Sequence, residues 1–164
     1  NDLAAGSQSA CDRNTLLLTA GELVRKYVHM LRQTDIGDAI VFMSNAIKKR
    51  CTVFLISDFF DSKEYTQQLT IMSRRHDVCA LQIYDQRMLE LPDIGLMKVR
   101  DAETNEEIYI DTSSKAVRRA HHEWWIRNQA RLKEMFTHSN VDCAHLRTDE
   151  DYVKGLMGLF KRRK

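Results

Sequence analysis

The chain has 164 residues, 43% of them hydrophobic, with 25 Lys and Arg against 23 Asp and Glu. That length and composition are enough for one sizeable core and argue for a single domain over residues 1–164, with 1–15 as a loose, polar lead. A nucleic-acid binder usually shows a broad basic stripe, which the near-neutral balance argues against: cations cluster in short groups such as Lys48–Arg50, Arg74–Arg75, Arg118–Arg119 and Lys161–Lys164. The first three read as solvated helix faces or ends, where cations oppose the negative pole of the helix dipole.

In chain order, helical spacing of Leu23, Tyr27, Met30 and Leu31, and then of Ile36, Ile40, Met43 and Ile47, predicts two amphipathic helices flanking Thr34, which is placed to cap the second. The period then changes. Thr52–Ile56 is a continuous, β-branched apolar run, as expected of a strand buried on both faces. Ser62 is expected to cap a helix running to about Arg75, and Val78–Tyr84 is the next buried strand, which makes a parallel crossover unit. Leu96–Arg100 and Glu107–Asp111 alternate apolar with polar residues and predict an antiparallel hairpin at a sheet edge. A long helix is expected after the caps at Asp111–Ser114, reaching Thr137. A short strand over Val141–Leu146 and a final helix capped by Thr148 or Asp149 complete the pattern. The fold class is therefore α/β, a three-layer, doubly wound and mostly parallel sheet with an appended β-hairpin.

Two segments resemble a known family. Gln33-Thr34-Asp35-Ile36-Gly37-Asp38-Ala39-Ile40 resembles the second metal-site element of von Willebrand factor A domains, and Phe54-Leu55-Ile56-Ser57-Asp58 resembles the third. The order of the downstream pieces, from Arg74–Val78 through Leu91–Gly95 and Asp111–Ser113 to Thr148–Val153, is similar to that of a MoxR-associated bacterial group catalogued as a domain of unknown function. The likeness runs from about Thr34 to the C-terminus. It departs from the family in one respect: the principal motif, Asp-x-Ser-x-Ser, occurs nowhere in the chain. The expectation is therefore a von Willebrand factor A-like, Rossmann-like domain lacking its first strands, either the C-terminal part of a longer protein or a truncated relative.

What the resemblance implies is a non-enzymatic protein-interaction module that partners a MoxR-type AAA+ ATPase in chaperone or metal-insertion assembly. Thr34 and Asp58 would form an incomplete metal site. Their oxygens suit Mg²⁺ or Mn²⁺ rather than zinc, bound weakly. The plainer reading makes Thr34 a helix cap and Asp58 the first residue of a turn. An enzymatic alternative would use Asp58 and Asp61 as a Mg²⁺-dependent hydrolytic or phosphoryl-transfer pair, against which Asp61 reads as a cap of the helix that follows it. Ser57 lacks a nucleophile elbow, and no Gly-rich phosphate loop is present.

Other conspicuous residues have structural readings. His121 and His122 are adjacent, hence about 100° apart on a helix and wrongly spaced for zinc. Trp124 is expected in the core and Trp125 partly exposed. Cys51, Cys79 and Cys143 sit in apolar runs as free thiols, which suits a reduced, cytoplasmic setting. No apolar run approaches the roughly 18 residues of a membrane span, so any anchor is expected upstream of Asn1. Loss of the first strands would bare one edge of the Thr52–Ile56 strand, so either residues 1–33 cover it or the chain forms a homodimer through it.

Overall fold

The computed structural model describes residues 35–61, 63–100 and 106–163. Thr34, Ser62, the first predicted helix, the lead at 1–15 and any covering role for 1–33 lie outside them. Helix α1 (Ile36–Ala46) leads into β1 (Thr52–Ser57), followed by α2 (Thr66–Arg75), β2 (Asp77–Tyr84) and a single turn, α3 (Gln86–Leu89). The hairpin β3 (Leu96–Arg100) and β4 (Glu107–Asp111) precedes the long helix α4 (Lys115–His138), then β5 (Asp142–Arg147) and α5 (Tyr152–Arg162).

The central sheet is parallel, in the order β1-β2-β5, with Thr52 opposite Asp77 and Cys79 opposite Asp142. Alternation along its strands sends side chains to two separate cores. Val53, Leu55, Val78 and Ala80 pack with Ile40, Leu69, Met72, Leu132 and Phe136 of α1, α2 and α4. Cys79, Leu81, Ala144 and Leu146 pack under Leu159 of α5, with Phe54 and Ile56 at the margin. Three layers result, so the α/β, Rossmann-like architecture expected from the two-sided apolar strands is the one observed. Strand β2, between the other two, is buried on both faces and lacks the wet face that an antiparallel sheet tolerates, whereas β5 leaves Asp142 and His145 exposed.

Helix boundaries follow local chemistry. Asp35 rather than Thr34 caps α1, its side chain accepting from the Asp38 N–H at 2.9 Å. Helix α2 begins at Thr66, later than expected; Tyr65 precedes it with no side-chain cap, and the Glu64 carboxylate accepts from the Thr66 N–H at 3.1 Å. Helix α4 ends where Asn140 takes φ +53 and the Val141 N–H bonds the Phe136 carbonyl at 2.9 Å, closing the helix with a left-handed residue. Asp151, not Thr148 or Asp149, caps α5 by accepting from the Val153 N–H at 3.0 Å.

The hairpin has the predicted strands, but it is a sheet of its own, not hydrogen-bonded to the central one. Its base is fixed by Thr112, fully buried, whose hydroxyl donates to the Gly95 carbonyl at 2.7 Å and accepts from the Ile94 N–H. Gly95 sits at φ +82, where a side chain would be strained.

The tryptophans are reversed relative to expectation. Trp125 is 4% exposed and Trp124 45%. The residue seven past Trp125 is Leu132, fully buried, whereas seven past Trp124 stands Arg131, so the buried stripe of α4 runs through Trp125. Truncating Trp125 to Ala should cost about 3–5 kcal/mol, as large aromatic truncations in cores do. Truncating Trp124, whose exposed ring contacts Phe60 and His121, should cost about 1 kcal/mol. Urea unfolding of the two variants measures the difference; equal losses would contradict this helix phase.

Candidate functional site

In open parallel sheets, ligands bind at the carboxyl ends of the strands, and here that edge is where polar and aromatic groups gather. Strand β1 leaves the sheet through Ser57, Asp58, Phe59, Phe60 and Asp61. The turn is tight: Ser57 Oγ accepts from the Phe59 N–H at 3.0 Å, and Asp58 Oδ1 from the Phe60 N–H at 3.1 Å. Phe59 takes φ +59, uncommon for a bulky residue, and is fully buried with its ring edge-on to Phe136 at 5.1 Å. Anchoring Phe59 inward turns Asp58 outward, and its carboxylate is exposed.

Asp61 ties this turn to α1. One oxygen accepts from the Ile36 N–H at 3.0 Å and the other from the Lys63 N–H at 2.8 Å, so it serves α1 rather than the helix that follows it. Lys63 also pairs with Asp35, and that ammonium holds the Asp35 carboxyl below the usual carboxylate range. The start of α1 and the end of β1 are thus joined by Asp61, Lys63 and Asp35. Of the two residues expected to pair, Asp58 faces solvent in this turn and Thr34 lies outside the described residues. The structure therefore brings the two segments together while leaving the pair itself undescribed.

A polar rung crosses the same end of the sheet. Ser57, Gln82 and His145 are register partners on β1, β2 and β5. Gln82 is fully buried; its Oε1 lies 2.7 Å from His145 Nδ1 and its Nε2 donates to the Asp58 carbonyl at 3.4 Å. With the amide so oriented, the proton of the neutral His145 ring is on Nδ1. His145 is exposed at the sheet edge, but partial desolvation of its ring, with a lesser push from Arg162, lowers its pKa from 6.5. The pair was not anticipated because its members are far apart in sequence, although a Gln inside the apolar run Val78–Tyr84 was a visible signal.

Aromatic rings roof the edge. Phe60 stacks on Trp124 with centroids 5.3 Å apart and 20° between planes, and Trp125 lies 5.3 Å from Tyr84. His121 and His122 reach the Met88 and Leu89 carbonyls at 2.9 and 3.3 Å, pinning α3 to α4 as structural residues.

Among the described residues, no group of three or more His, Cys, Asp or Glu could hold a metal ion. Asp58 offers one hard carboxylate, while both oxygens of Asp61 are engaged. That donor set fits at most a cation keeping several waters, as Mg²⁺ does. Among the described residues, thiolate ligation of a softer metal is disfavoured at Cys79 and Cys143, whose thiols burial pushes up to about 11.

Residues 15–131 match the model of a family described as "Protein of unknown function DUF58". The chain belongs to the DUF58 family. A relative, the uncharacterized protein MAV169 of Mycobacterium avium, is 29% identical over 158 residues, covering 93% of this DUF58 chain and 89% of that protein. The uncharacterized proteins Mb1516 of Mycobacterium bovis and Rv1480 of Mycobacterium tuberculosis are each 33% identical over 70 residues, which are 43% of this chain and 22% of theirs. The crystal structure of conserved hypothetical protein BatB from Bacteroides thetaiotaomicron aligns with a TM-score of 0.39 and 11% identity, over 79% of this chain and 58% of that one. No helix among the described residues of this DUF58 chain is long and apolar enough to cross a membrane.

Two outcomes are expected. Asp61→Ala should cost about 1–3 kcal/mol by leaving the Ile36 N–H unpaired, and should speed hydrogen exchange at the first turn of α1; unchanged exchange there would show that the two segments are held independently. Because His145 and the buried His76 have pKa values below 6.5 in the fold, the unfolded chain binds more protons. Stability should be fully present above pH 6.5 and fall on acidification from there toward the lowered folded values. Denaturant melts across that window check the sign, and the double variant His76→Gln with His145→Gln should flatten the slope.

Proposed function

We propose that this DUF58 chain is a non-enzymatic protein-interaction module of the von Willebrand factor A type that partners a MoxR-type AAA+ ATPase in chaperone or metal-insertion assembly. The observation carrying this reading is the exposed Asp58 at the carboxyl end of a parallel strand, beside the start of α1 and next to a half-exposed aromatic pair. An exposed carboxylate flanked by Phe60 and Trp124 suits a protein surface, where aromatic residues supply contact area and a charge supplies selectivity.

Thr34 and Asp58 would supply hard oxygens to a weakly bound Mg²⁺ or Mn²⁺, leaving a coordination position for an acidic group on the partner. The alternative of a hydrolytic Asp58–Asp61 pair is less favoured. Asp61 spends both oxygens on backbone N–H groups, so it is poorly placed to carry a proton in a reaction.

Titration of the chain with Mg²⁺ and then Mn²⁺, followed by amide-resolved NMR, should shift and broaden signals around Thr34 and Asp58. Asp58→Ala should abolish those changes and weaken binding to a purified MoxR-type ATPase by at least about tenfold, the scale of a lost charged contact. Unchanged ATPase binding in that variant, or turnover of a generic phosphate ester that vanishes with it, would overturn the reading.

A further inference from the structure

The opposite edge of the sheet carries a different chemistry. Helices antiparallel to parallel strands must end where the strands begin, so the joints before β1 and β2 and the end of α5 meet there. The Asp77 N–H bonds the Cys51 carbonyl at 2.9 Å, which puts the starts of β1 and β2 side by side. Arg163 pairs with both Asp77 and Asp142, which brings the end of α5 over the starts of β2 and β5. Lys48, Lys49 and Arg50 precede β1, Arg74 and Arg75 close α2, and Lys161 and Arg162 close α5. All seven are exposed, and among the described residues none of them has a carboxylate partner, although the Arg162 guanidinium donates to the Cys143 carbonyl at 3.1 Å. The carboxylates of Asp77 and Asp142 at this edge are taken by Arg163.

Helix dipoles account for Arg74, Arg75, Lys161 and Arg162, each in or beside a last turn. They do not account for Lys48–Arg50, which follow α1 after its end at Ala46 and stand in the joint. Beside these cations, α5 shows an outward apolar stripe: Val153, Met157 and Phe160 are 45%, 53% and 49% exposed. Phe160 lies edge-on to Phe54 at 6.3 Å, in the turn just before Lys161.

We propose that this edge is a docking surface for the anionic phospholipid surface of a bilayer, with Lys48–Arg50, Arg74–Arg75 and Lys161 facing the headgroups and Met157 and Phe160 entering the interface. Cations alone fit any polyanion. The adjoining apolar side chains favour a bilayer, because interfacial helices combine a basic rim with residues that enter the acyl boundary. The surface lies at the opposite edge of the sheet from Asp58, so a protein partner and a membrane could be engaged together.

Co-sedimentation of the full chain with vesicles tests this. Binding is expected to vesicles of phosphatidylcholine and phosphatidylglycerol in equal parts, not to phosphatidylcholine alone, and should fall steeply with added salt. Each juxtaposed cation contributes roughly fivefold to partitioning, so Lys48→Glu with Lys49→Glu and Arg50→Glu should lower it by at least about a hundredfold. Met157→Ser with Phe160→Ser should lower it without changing the salt dependence. Circular dichroism melts of both variants establish that they are folded, and the single variant Lys49→Glu, in an exposed joint, should still bind measurably less. No binding to anionic vesicles, binding indifferent to the charge reversals, or tighter binding to duplex DNA than to the vesicles would overturn the proposal. Asp58→Ala should leave vesicle binding intact, so this surface and the Asp58 site fail separately.

Discussion

Parallel pairing of a strand buried on both faces is the constraint from which the rest follows. Strand β2 lies between β1 and β5, and its alternate side chains enter two different cores. A parallel sheet cannot close with tight turns, so each strand is followed by a crossover that must bury its own apolar stripe against the sheet. Helices α1, α2 and α4 cover one face and α5 the other. The polar consequences are pushed largely to the two ends of the strands, because a polar group buried between them is costly unless it is hydrogen-bonded. Gln82 marks the limit of that rule: it stands fully buried in the last shared rung, and it is tolerated because both ends of its amide are bonded.

The two ends then acquire opposite chemistry. At the carboxyl end, helix starts collect acceptors, as in Asp35 on α1 and Asp151 on α5, together with the exposed Asp58. At the other end, helix termini collect cations. Dipole complementarity alone would yield a mild version of this asymmetry. Asp61 and Arg163 sharpen it, each by linking two elements at its own end: Asp61 joins the β1 turn to α1, and Arg163 joins α5 to β2 and β5. One is a carboxylate among N–H groups and the other a guanidinium between carboxylates, so each closes its edge with the charge the local backbone and side chains demand.

Much of the architecture was legible because its strongest signals are local. The runs Thr52–Ile56 and Val78–Tyr84 are apolar without interruption, and the hairpin strands Leu96–Arg100 and Glu107–Asp111 alternate; each was placed within a residue or two. Caps were less legible, since Thr34, Asp35, Ser62, Thr148, Asp149 and Asp151 are all chemically able to cap and only tertiary engagement selects among them. Asp61 illustrates the difficulty. Read locally it belongs to the next helix, yet its partner is the Ile36 N–H, twenty-five residues earlier. The inversion of Trp124 and Trp125 came from the choice of phase. The observed phase is the one in which Trp125 and Leu132, seven residues apart, are both buried.

The candidate site was legible in its position and not in its composition. That Asp58 stands at a strand end follows from the sequence, because an apolar run that stops at Ser57-Asp58 must leave the sheet there. What turns its carboxylate outward is Phe59, whose left-handed backbone buries the ring against Phe136, a contact between residues far apart in sequence. A residue of identical type without that anchor could have turned inward. The rung Ser57–Gln82–His145 likewise depends on register between strands that no local pattern fixes. Register itself is set by burial, since a shift of one residue would drive Gln82 into the α5 core and Leu81 out of it. The same apolar alternation that stabilises the sheet therefore aligns the polar groups at its end, and the chemistry available there is a by-product of core packing.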